Sequence, residues 1–273
     1  MSPTAISFGQ VIPVTGPVLG FAGTVSRVGE RVITARTFSP TTTTNNLNFG
    51  DPVVMVPTAT GGTWDTVADF VAALTSNIGL VASYFAGFGI REVQTQLSYP
   101  AGQAPGVLQV GYYANGNIAE VLERGSGTLL LSVGAPSAGD QVYTRVALNT
   151  AVAAGLIGDW ETNPVATDQF TLNGITAAAA AVTSITGITF TNVFVGMVVT
   201  GAGAAPGTYV VSGTGTAGAF TTIVLSKGLP VAITATSVLT FSNLVALPNV
   251  VARTGFVDAN SMFEATIKTR NAA

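Results

Sequence analysis

The chain has 273 residues, ten Lys or Arg against thirteen Asp or Glu (net charge −3), and neither His nor Cys. That inventory removes disulfides, thiol nucleophiles, Cys-ligated zinc and the commonest general base, and its singly scattered cations offer no basic run that could neutralise several phosphates. Charged residues make up 8%, against roughly 25% in ordinary soluble domains, so the surface is neutral in the manner of a protein packed against other subunits.

Residues 1–26 set Pro3, Pro13 and Pro17 among Phe8, Val11, Ile12, Val18, Leu19 and Phe21 without a period, which predicts an extended N-terminal arm. No basic residue precedes Arg27, so a Sec signal peptide is not expected, and synthesis and folding in a cytoplasm are. Arg31 to Thr37 and Pro52 to Val56 read as strands around the turn-rich Ser39 to Gly50. Thr63 is placed to cap one short helix starting at Trp64, with Asp65 in its first turn and Val67, Phe70, Val71 and Leu74 on one face. The most apolar stretch, Val67 to Ile90, is broken by Asp69, Thr75, Ser76, Asn77 and glycines, so no membrane span is expected.

Beyond Phe85 the pattern becomes strand and turn: Phe88 to Leu97, Val107 to Tyr113, Ile118 to Arg124, Gly127 to Val133 and Gln141 to Leu148, with Gly125, Ser126 and Gly127 as a hairpin turn. Short strands with turns every 8 to 12 residues predict a mainly β fold, an antiparallel β-sandwich or barrel. From Asn173 to Leu247 the only charged residue is Lys227. That shift predicts an inserted second small all-β domain at 173–246, inside a β core domain of 27–172 plus 247–273, with a tandem arrangement as the alternative. Its strands are expected at Ile185 to Phe190, Met197 to Thr200, Thr208 to Ser212, Thr221 to Leu225 and Ser237 to Phe241. Val250 to Phe256 and Met262 to Thr269 then close the core.

The close acid pairs are Glu120 with Glu123 and Asp159 with Glu161. On a strand, period two sends Glu120 and Glu123 to opposite faces, while Asp159 and Glu161 share a face only if extended. No Gly-x-Gly string opens a helix, which a phosphate cradle requires. No loop gathers enough oxygen ligands for calcium. The expectation is a non-enzymatic protein with no cofactor, metal or nucleic-acid partner. Alternation on Tyr112 and Tyr113 turns one ring inward. Carbohydrate binding through Tyr113, Trp160 or Trp64 is an alternative.

The run Phe85-Ala-Gly-Phe-Gly-Ile-Arg-Glu-Val93, then Val121-Leu-Glu-Arg-Gly125, Gly127 and the strand Thr128 to Val133, resembles the structural cement (capsid decoration) proteins of tailed bacteriophages. The turn Ala138 to Tyr143 and the ending Leu247 to Thr269 are similar too, so the likeness covers roughly 1–172 and 247–273. The module, with Val195 to Gly201 and Pro206, Gly207 and Thr208, resembles small β modules of phage fibres and virion proteins. The resemblance implies a homo-oligomer, dimer or trimer, on the outer capsid surface of a virion, bridging neighbouring copies of the major capsid protein. It implies no catalytic residue, and the alternative to it is another virion component, a tail-tube or fibre subunit. The expected assembly interface comprises Phe8, Val11, Ile12 and Phe21 of the arm with Trp64 and Phe70.

Overall fold

The computed structural model describes residues 22–26, 31–40, 46–59, 61–73, 80–90, 111–148, 155–164, 169–172, 183–201, 203–205, 208–216, 219–229, 238–258 and 260–269. Among the described residues the fold is mainly β, with a closed five-strand barrel, a curled sheet and two short helices. In chain order the elements are β1 (Val32–Thr37), β2 (Leu47–Asn48), β3 (Pro52–Val56), β4 (Thr63–Thr66), α1 (Val67–Ala73), α2 (Val81–Tyr84), β5 (Phe85–Gly89), β6 (Tyr112–Tyr113) and β7 (Ile118–Val133). They continue with β8 (Gln141–Arg145), β9 (Trp160–Thr162), β10 (Gln169–Leu172), β11 (Ser184–Thr191), β12 (Val198–Gly201), β13 (Thr208–Thr216), β14 (Ala219–Leu225), β15 (Leu239–Ser242), β16 (Leu244–Ala252) and β17 (Met262–Ile267).

One nine-stranded sheet runs β17-β16-β8-β9-β7-β5-β3-β4, with β1 added on β7, and a further β17–β7 pairing closes β7, β9, β8, β16 and β17 into the barrel. Within the barrel the β7–β9 ladder is parallel and the other ladders are antiparallel. Leu129, Leu131, Val142, Trp160, Leu247, Val250, Phe263 and Ile267, drawn from all five strands, form one buried apolar cluster with Phe85 and Phe88. The second sheet has the order β10-β15-β12-β13-β14-β11 and takes every strand from the continuous stretch Gln169 to Ser242. Phe190, Met197, Val199, Val210, Phe220, Ile223 and Phe241 make its core. A third cluster joins the two sheets: Val54, Val67, Phe70, Val81, Val146 and Val245 meet Tyr209, with Val198 and Val211 packed against them.

Three local expectations are corrected. The predicted hairpin at Gly125 to Gly127 does not exist, because β7 is a single sixteen-residue strand. Gly125 carries φ +130°, and a Cβ on Gly127 would lie 2.4 Å from Phe88 Cζ. These glycines therefore bend one strand and admit an aromatic ring; they do not reverse the chain. The helix starts later than predicted, since Thr63 to Thr66 pair with β3 as a strand. The cap is accordingly Thr66, whose Oγ1 accepts the Asp69 amide at 3.1 Å. Leu74 lies outside the described residues, as do the predicted strand residues 91–97 and 107–110.

The last residues of the predicted arm are part of the core wall. Gly23 N donates to Thr128 O at 2.8 Å, Thr128 N to Thr24 O at 2.9 Å, and Ser26 N to Ser126 O at 3.1 Å. They occupy the flank of β7 between its partners β5 (at Phe88 and Gly89) and β9. Gly23, at φ +75°, is wedged there with no space for a Cβ, which would sit 2.8 Å from Gly89 O and 2.9 Å from Gly50 N. The second sheet begins at Gln169 where the composition shift placed 173, and ends at Ser242 where it placed 246. Leu244, Val245 and Ala246 belong to β16, opposite Arg145, Thr144 and Tyr143 of β8.

Candidate assembly surface

Of the residues expected at an assembly interface, Phe8, Val11, Ile12 and Phe21 lie outside the described residues. Trp64 and Phe70 do not reach the surface. Trp64 is 0% exposed, donates Nε1 to Ala119 O at 3.1 Å and carries the Arg36 guanidinium over its ring at 5.3 Å. Phe70 is 2% exposed and packs against Tyr84 and the cluster that joins the two sheets. Their apolar area is consumed inside the protomer, because β4 and α1 turn their apolar faces to β3 and the second sheet.

The rings considered for stacking on a sugar are also inward. Tyr113 is buried with its hydroxyl donating to Ile90 O at 3.0 Å, and Trp160 is buried with Nε1 donating to Gly50 O at 2.6 Å. Tyr112, the neighbour of Tyr113 on β6, is exposed.

The acid pairs separate. Glu123 is buried in β7 while Glu120 is partly exposed. Glu161 is fixed by Arg145, with Arg145 Nε and Nη2 donating to its two carboxylate oxygens at 2.5 and 3.0 Å. Asp159 instead accepts the Leu156 amide through Oδ2 at 2.8 Å and closes the turn before β9. Sequence reasoning singled out Glu161 but missed Arg145, sixteen residues away and brought diagonally across from it by the β8–β9 ladder, in which Tyr143 stands opposite Glu161. Among the described residues no group of three acids gathers as a metal site, and no helix is long and apolar enough to cross a membrane.

Asp51 was not singled out by sequence. It sits in the turn between β2 and β3, where its Oδ2 accepts from Asn48 N and Nδ2 at 3.0 and 2.9 Å. Burial of the carboxyl, reinforced by the charge of Asp159 and opposed by the two Asn48 bonds, pushes its pKa from 3.8 up to about 7. Because the folded state holds this proton more tightly than the unfolded chain, the group's contribution to stability is complete below pH 3.8 and is lost as pH rises to about 7. Asp51→Asn keeps an oxygen for the Asn48 amide and removes the ionisation. Urea midpoints of the variant should therefore gain on wild type between pH 4 and pH 7 and stay ahead by a constant margin at pH 8. Parallel midpoints across that range would show Asp51 to be freely solvated.

Among the described residues the surface carries Arg31, Lys227, Arg253 and Lys268 and, beside them, several large apolar side chains. Ile118, Leu156 and Leu148 are exposed at 68%, 64% and 53%. Ile118 and the exposed Tyr112 flank the turn Ala114 to Asn117, while Leu148 and Leu156 flank the connection from β8 to β9. In a chain with 8% charge, large side chains exposed at two tips are suited to contact with other protein surfaces. No family model matches the chain, and no curated protein matches it.

Proposed function

We propose that the protein is a non-enzymatic structural component of a tailed-phage virion, binding the outside of the capsid and cementing neighbouring major capsid subunits. The observation that carries the reading is the charge-poor chain with large apolar side chains exposed at the Tyr112/Ile118 and Leu148/Leu156 tips. The resemblance of the segments Phe85 to Val93 and Val121 to Val133 to cement proteins supports it. Many weak apolar contacts repeated over a closed shell would hold subunits together by avidity, with no single strong contact needed. The second sheet, in this reading, is a module inserted in the core domain.

The test uses shells stripped of this protein. Re-addition is expected to saturate at a fixed number per shell and to raise the shell's heat resistance, with Ile118→Lys and Leu156→Lys weakening both. Purified protein that ignores expanded shells yet assembles into tubes or fibres would instead identify a tail or fibre subunit.

A further inference from the structure

The barrel has no free edge, since β17 closes onto β7. The second sheet is open and ends at β10 and β11. β10 is four residues long, and β4, at the end of the first sheet, is also four and is bridged by Phe38. β1 is six residues long, follows Arg31 directly and carries Arg36. Short or charged edges of this kind resist pairing with another chain.

β11 differs from all of them. It is eight residues long, Ser-Ile-Thr-Gly-Ile-Thr-Phe-Thr, with no charge and no proline, and among the described residues no strand pairs with its outer side. Thr183 O accepts the Leu225 amide at 2.8 Å, so alternation turns the N–H and C=O of Ser184 and Thr186 to that outer side. The side chains of Ile185 and Phe190 are buried, whereas those of Ser184, Thr186, Thr189 and Thr191 are exposed. The one protective device is a bulge against β14 between Thr186 and Phe190.

We propose that β11 of one copy pairs antiparallel with β11 of a second copy, joining two six-stranded sheets across a two-fold axis. Three features select this occupant. A neutral edge gives a charged peptide no electrostatic reward, but gives an identical neutral edge no repulsion. An isologous pairing brings Ser and Thr side chains of one strand beside Ser and Thr of the other, a favourable cross-strand combination. The single charge of the stretch 173–247, Lys227, stands two residues beyond Leu225 at the Thr183 end of β11. Parallel pairing would set two such lysines side by side, and antiparallel pairing sends them to opposite ends. The interface needs no shell, so it stands or falls separately from the capsid reading.

The test is the mass of the full chain by sedimentation equilibrium. Wild type is expected to dimerise. Thr186→Lys with Thr189→Lys, both at exposed positions, should raise the dissociation constant by about tenfold or more, and mixing that variant with Thr186→Glu with Thr189→Glu should restore dimers as a charge-matched pair. Hydrogen exchange supplies an independent reading on wild type, with the Ser184 and Thr186 amides protected at high protein concentration and open at low. A monomeric wild type, a lysine variant that dimerises unchanged, or loss of dimers only on deletion of residues 1–21 would each overturn the proposal. Shell rebinding by the lysine variant, measured separately, reports on the capsid reading alone.

Discussion

Glu161→Gln is expected to destabilise the protein by about 3–5 kcal/mol, the cost of leaving one partner of a buried ion pair without its counter-charge. Arg145 is 0% exposed and Glu161 1% exposed. At its margin the guanidinium also points Nη1 at Ala147 O, 3.5 Å away. Gly155 lies so close over it that an added Cβ would stand 2.2 Å from Nε, which leaves no way out for a stranded charge. Since ordinary domains are stable by only about 5–15 kcal/mol, the loss is a large part of the total. Arg145→Met combined with Glu161→Leu removes both charges and should recover most of it, because a buried pair is close to neutral against apolar side chains of similar volume. Urea unfolding of the two variants separates these effects. A Glu161→Gln protein within about 1 kcal/mol of wild type would mean that water reaches Arg145.

Excision of residues 169–242 is expected to leave a folded barrel with a newly exposed apolar face. All five barrel strands lie outside the excised stretch. Thr162 and Leu244 stand on strands either side of β8, opposite Val142 and Arg145, so the gap is about 10 Å across and about 10 Å along, within reach of a short Gly linker. Asn243 is retained because its carbonyl accepts the amides of Val146 and Ala147 at 2.8 and 3.3 Å. What is lost is the cover that Tyr209, Val198 and Val211 give to Phe70, Val81, Val146 and Val245. The melting temperature should fall and binding of an apolar dye should rise, while near-ultraviolet circular dichroism from Trp160 against Phe85 and Phe88 persists. An unfolded product would show that the two sheets form one cooperative unit, and would sink the inserted-module reading.

The sequence was readable where local rules act alone. Pro52 to Val56, bounded by Gly50 and Pro57, is a strand with those bounds, and the β character of the whole follows from turn spacing. It misled where one residue type answers two demands. Gly125 and Gly127 satisfy the rules for a hairpin turn, but a bent strand that must admit Phe88 needs glycine equally, and that partner is remote in sequence. Trp64 and Phe70 are large apolar side chains in the sequence whether they meet another subunit or, as here, two buried clusters of the chain's own residues. Arg145 was invisible because an isolated charge acquires meaning only when a neighbouring strand brings its partner, here sixteen residues on; Asp51 bonds Asn48 only three residues away, but the burial that raises its pKa exists only in the folded protein.

The closing of β7 onto β17 has a further consequence for how the molecule is made. Gly127 meets Ala265, and through its other flank Val25, so the barrel wall is assembled from segments separated by more than half the chain. Such closure must wait until the last strand has left the ribosome, and its long loops make it slow. The second sheet joins β11, β13 and β14 within forty-two residues, Ser184 to Leu225, so much of it can form on the nascent chain while the barrel around its two ends is still open.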